Sequence, residues 1–590
     1  MADTPGAASE GERSGWFGSR WLRLVIGIVL VIVGAALVVR PFASLATLIG
    51  LVVVALVVHG VGELLGSRRR GWSRVAGVAY LLSAAVILIW PTVTIRLLAV
   101  LVAAALVVGG LADLTAASRT KGTARYNALI GGLGSVLFGV LLLAWPDINV
   151  LVVGILFGAR LLMAGGRQLV AFRRGDDVPI LRRPGDYANP KSGWLRLTGT
   201  SAGALLAVAL GVLSFALHRG SPGADAFYAA PESVPSAPGQ LLRSEPFTSG
   251  EIPEGARAWR ILYTTTRDEG EPALASGLVI APAVATGPSP VIAWSHGTTG
   301  FAQGCAPSIL EDGLAAGAMM IQDQVLEQGW ALVATDYTGL GTEGPHPYLI
   351  GQGEGRSVLD AIRAAQQLRE ADLAVDTVVW GHSQGGHAAL WAGQLESEYA
   401  PELEIAGIAA LAPAGNLPGL VDQLGSMTGG DIFGSFVISA YAATYPDVAV
   451  ADHLRPAARI IVPELAARCL AEESTLASVL ATLLFDRSIW TGDPTKGAFG
   501  ARLVENVPSG RIDAPLLLGQ GAADGLITPA AQLEYVQDRC RAGFPLDYRT
   551  YPGRGHVELI EPNSPLIPEL VAWTRDRFAG LPADDTCVPS

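Results

Sequence analysis

The chain has 590 residues, half of them hydrophobic, and a formal net charge of −12. Its length is too great for one domain, and its mean hydropathy of +0.39 is higher than that of soluble proteins, so membrane spans are the first expectation. Residues 1–220 carry 21 basic and 9 acidic side chains, and the remaining residues carry 20 basic and 44 acidic ones. This uneven distribution indicates that the two parts lie in different compartments, and it excludes a nucleic-acid-binding protein.

The first half of the chain contains seven apolar segments, each close to the roughly 20 residues that span a bilayer as a helix. The first six form three pairs, and a short turn with Pro41, Pro91 or Pro146 separates the members of each pair. The pairs recur with a period of about 50 residues, which predicts a threefold repeat of a helical hairpin. The seven segments cover residues 22–39, 43–65, 75–90, 93–114, 128–145, 150–170 and 197–217.

Basic residues are concentrated between the hairpins, as in the run Ser67–Arg70, and loops rich in Arg and Lys face the cytoplasm in membrane proteins. We therefore expect a cytoplasmic tail at residues 1–20, and a cytoplasmic loop with a seventh, outward-leading span at 176–218. The alternative, a signal peptide at the first segment, lacks a small-x-small cleavage site. The hairpin triplet resembles the HdeD-like membrane protein family, which implies a six-helix domain at 21–175 with the lipid bilayer as its partner.

Residues 219–240 are rich in Gly, Ser, Ala and Pro without an apolar period, and we predict a linker there. From about residue 258, short strand-like runs alternate with helical patterns, which predicts a mostly parallel sheet with helices on both faces. The expected strands cover residues 277–282, 290–294, 331–336, 377–380, 405–411, 514–518 and 547–551. The expected helices cover residues 309–328, 355–369, 385–398, 463–470 and 475–484.

Ser383 stands in the turn Gly381–Gly386, between a strand-like run and a helical pattern. A strand, a Gly-x-Ser-x-Gly turn and a helix in this order form a nucleophile elbow. The turn is so tight that a side chain at Gly381 or Gly385 would collide with neighbouring backbone. It holds the serine hydroxyl over a helix N-terminus, whose free N–H groups favour negative charge. The pattern predicts that Ser383 is the nucleophile of a hydrolase.

An acid and then a histidine are expected to follow the nucleophile in this architecture. Asp524 lies on a Gly-rich loop after the strand at 514–518, and His556 lies on a Gly-x-Gly-His turn after the strand at 547–551. His556 would take the proton of Ser383, and Asp524 would hold the imidazole in the correct tautomer. The rival candidates are Asp513, before its strand; His382, expected to point away from Ser383; His387, expected to cap or pack; and His453, in an inserted segment.

A tetrahedral intermediate also needs hydrogen-bond donors for its oxyanion. The backbone N–H of Gln384 is one candidate, because this residue follows the nucleophile. The other should come from the turn after the strand at 290–294, where Thr298 is the first choice and Gly297 the reserve. We expect the adjacent His296 to be structural.

About 100 residues separate the strand that ends near Pro413 from the next one, far more than a bare connection requires. We predict a helical cap over the active site at about 416–508, forming a mostly apolar pocket. The histidines are scattered and the Gly-rich phrases lack a P-loop lysine, so we expect neither a metal nor a cofactor. All four cysteines lie in the acidic half, and their even number predicts disulfides in an oxidising compartment.

Residues from about 240 to 587 resemble the secretory lipase family, and we expect the hydrolase domain at 241–590. The phrases that carry the resemblance are Trp294–Thr298, Cys305–Ser308, Asp336–Gly341, His346–Tyr348, Gly355–Asp360 and the serine turn. The resemblance implies an α/β-hydrolase fold with a helical cap, an acyl-binding tunnel and hydrolysis of carboxylic esters of lipids. It also implies two disulfides, Cys305–Cys469 and Cys540–Cys587. The fused membrane half departs from the family, so free secretion is not implied.

The sequence thus predicts a multi-pass membrane protein with a cytoplasmic N-terminus and an outward-facing serine esterase or lipase. Its expected partners are an apolar ester substrate and the bilayer, with no nucleic acid. Two alternatives stay open: a stress-response or binding protein with a non-catalytic hydrolase module, and a peptidase or acyltransferase on the same fold. The fold alone does not choose the acyl acceptor.

Overall fold

The computed structural model describes residues 20–39, 91–119, 121–144, 222–268, 270–456, 458–472, 474–484 and 488–587, together with single residues between 53 and 208. The chain divides into two compact units near residue 214. The expected segments at 43–65, 75–90, 150–170 and 197–217 fall mostly outside the described residues.

The first unit contains three described helices: α1 (Arg20–Val39), α2 (Pro91–Ala117) and α3 (Thr123–Ala144). Each matches a predicted apolar segment, with ends shifted by a few residues. Helices α2 and α3 approach closely at glycines: a Cβ placed on Gly110 would lie 2.6 Å from the carbonyl oxygen of Gly132. No helix within the described ranges combines the length and the hydropathy that a membrane crossing requires. The seven expected spans therefore stay a prediction.

The second unit is built on a nine-stranded mixed sheet with the strand order β1-β2-β3-β5-β4-β6-β7-β8-β9. Strands β1 to β3 are antiparallel, β3 also pairs antiparallel with β5, and the strands from β5 through β4 to β9 run parallel. The carboxyl ends of the parallel strands therefore meet at one edge. The strands are β1 (Leu241–Phe247), β2 (Ala256–Thr266), β3 (Pro272–Pro282), β4 (Ser289–Ser295), β5 (Ala331–Thr335), β6 (Leu373–His382), β7 (Glu404–Leu411), β8 (Leu516–Gly521) and β9 (Asp547–Tyr551).

Helices cover both faces of the sheet. The central strands are therefore buried on both sides. One face packs around Trp330, Trp380 and Trp573, and the other packs against helices that carry Leu359 and Leu390. The helices outside the cap are α4 (Gly313–Ala316), α5 (Gln322–Glu327), α6 (Gly351–Ala365), α7 (Gln384–Tyr399), α14 (Pro529–Arg541) and α15 (Leu566–Phe578).

The inserted segment between β7 and β8 is helical, as predicted for the cap. It contains α8 (Leu417–Leu424), α9 (Gly430–Thr444), α10 (Val450–His453), α11 (Ala458–Ala466), α12 (Thr475–Leu484) and α13 (Gly497–Glu505). Two disulfides join the predicted pairs, Cys305–Cys469 and Cys540–Cys587. The first links the loop after β4 to the segment after α11.

Three predictions about elements differ from the structure. The expected helix at 463–470 is displaced toward the N-terminus, as α11 (Ala458–Ala466), and Pro463 lies inside it. The expected helix at 309–328 is broken into α4 and α5, because the chain turns at Gly317 and Ala318 has a positive φ of 72°. Part of the expected linker at 219–240 packs on the domain. Tyr228 is 2% exposed, and its hydroxyl bonds Ser308 while Arg260 lies over the ring of Phe227.

Candidate active site

Ser383 lies at the turn between β6 and α7, with φ 59° and ψ −118°. A non-glycine residue is strained in this region of the backbone map, and such strain is concentrated at functional sites. Glycines make the turn possible: a Cβ on Gly381 would contact the carbonyl of Gly385, and a Cβ on Gly385 would contact the carbonyl of Ser295. The turn directs the Ser383 hydroxyl away from the sheet edge.

Ser383, His556 and Asp524 form one hydrogen-bonded chain. The Nε2 atom of His556 lies 2.8 Å from Oγ of Ser383, and its Nδ1 lies 2.7 Å from Oδ2 of Asp524. The three residues follow β6, β9 and β8, whose carboxyl ends share one edge of the sheet. In this geometry the Asp524 carboxylate accepts the Nδ1–H of His556, which leaves Nε2 free to accept the serine proton.

Backbone contacts fix the two partner loops. The Oδ1 atom of Asp524 accepts hydrogen bonds from the N–H groups of Leu526 and Ile527, at 2.8 and 2.9 Å. The N–H of Ala523 donates to the carbonyl of Arg554 in the histidine turn. Gly521 permits this approach, since a Cβ there would lie 2.5 Å from the Arg554 carbonyl oxygen. The aspartate and histidine loops are therefore held as one unit.

The rival residues have other contacts. Asp513 forms an ion pair with Arg511 before β8. His453 packs against the ring of Phe499 in the cap. His387 is fully buried and bonds Glu354 and the carbonyl of Asn506. None of these side-chain contacts involves Ser383, although the backbone N–H of His387 donates to the Ser383 carbonyl.

His382, which was expected to point away from Ser383, has side-chain contacts with His556. Its ring centroid lies 4.6 Å from that of His556, and its Nε2 donates to the His556 carbonyl at 3.0 Å. Burial, and then the nearby charge of His556, lower the pKa of His382 to about 3. His382 is therefore neutral near pH 7 and braces the turn that carries His556.

Thr298 and Gln384 both line the cavity into which Ser383 opens. Gln384 begins α7, so its backbone N–H has no acceptor within that helix. The N–H of Gly297 donates to the carbonyl of Gly317 at 2.9 Å, which removes the reserve candidate for the oxyanion hole. The Thr298 hydroxyl bonds that of Tyr348 at 2.9 Å, and this contact anchors the loop.

His296, beside the loop, is structural in its contacts. Its Nδ1 bonds the Gly297 carbonyl at 2.6 Å, and burial lowers its pKa to about 4. Asp336 supports the same region, because its buried carboxyl accepts hydrogen bonds from Ser276 and Ser308. Burial raises the pKa of Asp336 to about 6.

The cavity at Ser383 has a volume of about 20 Å³, which holds roughly one water molecule. The cap contributes Leu420, Leu424, Phe433 and Val437 to its wall, and the loop after β8 contributes Leu526 and Ile527. The wall of this small cavity is thus mostly apolar. In the described part of the chain, no group of three or more His, Cys, Asp or Glu side chains is placed to hold a metal ion.

Sequence reasoning missed the polar residues behind the elbow. Glu354, in α6, is fully buried and bonds the side chains of Gln384 and His387. His346 lies on the other side of the Gln384 amide, at 2.8 Å. One signal was available: Glu354 lies one turn from Ser357 in an amphipathic helix, where apolar residues are expected on the buried face.

Comparisons with known proteins agree with this architecture. Residues 313–586 match the family model described as secretory lipase. Residues 25–83, 75–135 and 130–180 each match a short repeat of unknown function, DUF308, which confirms the predicted threefold repeat. The expected HdeD-like identity of these repeats stays a prediction.

Curated relatives and a solved structure each cover 62% of this chain. A protein of Mycobacterium tuberculosis named "Probable inactive lipase MT1628" is 28% identical over 389 residues, covering 62% of this chain and 84% of that protein. "Secreted triacylglycerol lipase LIP2" of Malassezia furfur is 25% identical over 393 residues, covering 62% and 81%. Lipase A of Candida antarctica, in its closed state, aligns with a TM-score of 0.52 at 21% identity, over 62% of this chain and 88% of that one.

The likeness to lipase A confirms the expected α/β-hydrolase fold, which agrees with the mixed sheet and the strand-turn-helix at Ser383. Taken with the matched models, these comparisons support a secretory lipase family domain at residues 313–586, preceded by three short repeats of unknown function.

Proposed function

We propose that this chain is a serine-dependent carboxylester hydrolase that acts on lipid esters through an acyl-enzyme intermediate. The observation that carries the proposal is the hydrogen-bonded chain from Ser383 through His556 to Asp524, at the wall of an apolar cavity. A secretory lipase domain over the same residues supports it.

The proposed reaction has two halves. Ser383 Oγ attacks the ester carbonyl while His556 Nε2 takes its proton, and the backbone N–H groups of Gln384 and Thr298 bind the oxyanion. The intermediate collapses, the C–O bond to the alcohol breaks, and His556 returns the proton to the departing alkoxide. Water then attacks the acyl-enzyme, with His556 as its base, and releases the carboxylic acid and Ser383.

The substrate class follows from the wall of the cavity. Side chains of leucine, isoleucine, valine and phenylalanine surround Ser383, and they favour an acyl chain over a charged or strongly polar group. A cavity of about 20 Å³ admits no ester, so the proposal requires the cap to move before substrate binds.

We also propose that residues 21–218 anchor the hydrolase to the cell membrane, with the catalytic unit outside the cytoplasm. The support is the sequence pattern of apolar segments with arginine-rich loops between hairpins. Two disulfides in the catalytic unit fit an oxidising compartment.

A second candidate function is a non-catalytic, ligand-binding hydrolase module. The observation that favours it is the relative named as a probable inactive lipase, which covers the same 62% of the chain. The two candidates differ in whether Ser383 reacts.

A fluorophosphonate probe tests the proposal, together with p-nitrophenyl esters of graded acyl length. We expect Ser383→Ala to abolish labelling and to lower ester hydrolysis on the order of a thousandfold or more, because triad members act as a unit. The matched control is Ser426→Ala, at an exposed cap serine that should react like the wild type. Labelling that persists in Ser383→Ala would contradict the assignment, and a wild type that neither reacts nor hydrolyses would favour the binding module.

A further inference from the structure

A buried polar cluster lies directly behind the elbow, outside the triad. It consists of Glu354 in α6, His346 in the preceding loop, and Gln384 and His387 in α7. The side chains of Glu354 and His387 are both 0% exposed. A buried carboxyl group costs folding free energy unless it is fully hydrogen-bonded. The presence of Glu354 in this cluster therefore needs a physical explanation.

The amide of Gln384 is held from two sides. Its Nε2 lies 2.7 Å from Oε1 of Glu354 and 2.8 Å from Nε2 of His346. The Nδ1 of His346 faces the Thr338 carbonyl at 3.3 Å, so that atom carries the ring proton and Nε2 accepts. Both amide protons of Gln384 therefore have acceptors, which fixes the orientation of the side chain.

The rest of Glu354 is also paired. Its Oε1 accepts the backbone N–H of Leu349 at 3.0 Å, and its Oε2 lies 3.0 Å from Nδ1 of His387. The other ring nitrogen of His387 faces the carbonyl of Asn506 at 2.8 Å and must donate to it. One proton therefore lies between Glu354 and His387, on either atom, and the pair is satisfied in both arrangements.

The cluster acts on the residue whose backbone N–H faces the proposed oxyanion. Gln384 is the first residue of α7, where the backbone has no earlier helical turn to hold it. The hydrogen bond from its side-chain amide to Glu354 attaches Gln384 to α6. A donor that must lie about 3 Å from a developing oxyanion loses effect when its residue can shift.

We propose that Glu354 is a positioning residue that holds the Gln384 backbone N–H in place for the oxyanion, acting through the Gln384 amide. The inference rests on the proposed hydrolase function. The cluster also reaches the cap, because Asn506 accepts from His387 and Tyr441 of α9 donates to the Leu349 carbonyl. The oxyanion donor and the base of the cap thus share one rigid support.

The test compares two substitutions at Glu354 in the full chain. Glu354→Met removes every hydrogen bond of the carboxyl at similar length. Glu354→Gln keeps them: its amide oxygen accepts from Gln384 and Leu349, and its amide nitrogen donates to neutral His387. Asp360→Met is the matched control, because Asp360 is a buried carboxyl in the same helix whose partners are Arg363 and Tyr399.

Titration of reactive Ser383 with a fluorophosphonate gives the number of folded sites, and kcat is expressed per titrated site. We expect Glu354→Met to lower kcat roughly tenfold to a hundredfold with little change in KM. The variant should also bind an alkyl trifluoromethyl ketone, which forms an oxyanion adduct, more weakly than the wild type does. Glu354→Gln should keep most of the wild-type kcat and most of the wild-type affinity for the ketone. Asp360→Met should reduce the number of folded sites and leave kcat per site unchanged.

Either of two results would overturn the positioning role. One is a kcat per site within twofold of the wild type in Glu354→Met, since the carboxyl would then act on stability alone. The other is an equal loss in Glu354→Gln, since hydrogen bonding to Gln384 would then not be the cause. A wild type without hydrolysis or labelling would instead refute the proposed function itself.

Discussion

At the scale of single residues, the active site depends on positions where a side chain cannot be accommodated. Gly385 is such a position, because its would-be Cβ contacts the backbone of Ser295 and His296 on the neighbouring strand end. Backbone atoms cannot move aside as the end of a flexible side chain can. Because Gly385 has no Cβ, the elbow can lie in direct contact with the end of β4.

We expect Gly385→Ala to destabilise the second unit by more than about 3 kcal/mol and to abolish labelling of Ser383, because overpacking here displaces backbone. The matched control is Gly287→Ala, where a Cβ would meet no atom within 4 Å. Urea unfolding and fluorophosphonate labelling measure the two effects. Normal labelling of Gly385→Ala would refute the packing argument.

The buried carboxyl of Asp336 predicts a pH dependence of stability. Burial raises its pKa from 3.8 to about 6. The folded state therefore binds the proton more tightly than the unfolded state, and this group stabilises the fold below about pH 4 and loses that contribution as the pH rises to 6. The difference corresponds to about 3 kcal/mol for a fully buried group.

Asp336→Asn removes this titration. We expect the free energy of unfolding of the variant, relative to wild type, to increase by up to about 3 kcal/mol between pH 4 and pH 7. The comparison cancels the contributions of other groups, such as His296, whose pKa is lowered. Urea unfolding at four pH values measures it, and a constant difference would show that Asp336 does not titrate in this range.

At the scale of elements, local patterns predicted the strand ends that carry the triad. Strand β9 and helix α12 have the predicted bounds, and Pro552 directly follows the strand. Ser383 directly follows β6, and Asp524 and His556 lie on the loops after β8 and β9, so each could be proposed from the strand before it. Strands β1 and β2 were missed, since no helix separates them from each other or from β3, and the prediction relied on alternation of strands and helices.

The broken helix at 309–328 shows why other features were out of reach. The turn at Gly317 leaves its carbonyl free to accept the N–H of Gly297, 20 residues earlier, and so shapes the loop that carries Thr298. The Glu354 cluster likewise depends on which face of α6 meets α7. Both features depend on contacts between distant parts of the chain, which periodicity alone does not specify.

The disulfides allow a test at this scale. Cys305–Cys469 closes 164 residues and Cys540–Cys587 closes 47, which corresponds to about 5 and about 4 kcal/mol in the chain-entropy model. Only the first adjoins the oxyanion loop, where the N–H of Leu470 donates to the Thr299 carbonyl at 2.7 Å. Removal of the first bridge should therefore affect both the reaction and the stability, whereas removal of the second should affect the stability alone.

We expect the double alanine variant of Cys305 and Cys469 to lower both the urea midpoint and kcat/KM. The matched variant of Cys540 and Cys587 should lower only the midpoint, because no residue of the proposed site contacts that bridge among the residues the structure describes. Equal effects on kcat/KM would mean that the first bridge does not position Thr298.

At the scale of the whole molecule, the chain joins a threefold repeat to a hydrolase-fold unit. The charge reverses between the two halves, and all four cysteines lie in the acidic half. If the arginine-rich loops face the cytoplasm, an odd number of spans before residue 219 places the catalytic unit on the other side. The disulfides and the acyl substrate then belong to the same compartment.

Alkaline phosphatase fused after Ser221 tests this arrangement, because that enzyme folds only where its own disulfides form. We expect an active fusion. As the paired measurement, a cysteine introduced at Ser67 should be protected from an impermeant thiol reagent in intact cells and should react after lysis, once the native cysteines have been shown not to react. An inactive fusion, or labelling at Ser67 before lysis, would place the catalytic unit in the cytoplasm. The bridges Cys305–Cys469 and Cys540–Cys587 would then be reduced in the cell, and peptide mapping of protein alkylated at lysis would find free thiols at all four positions.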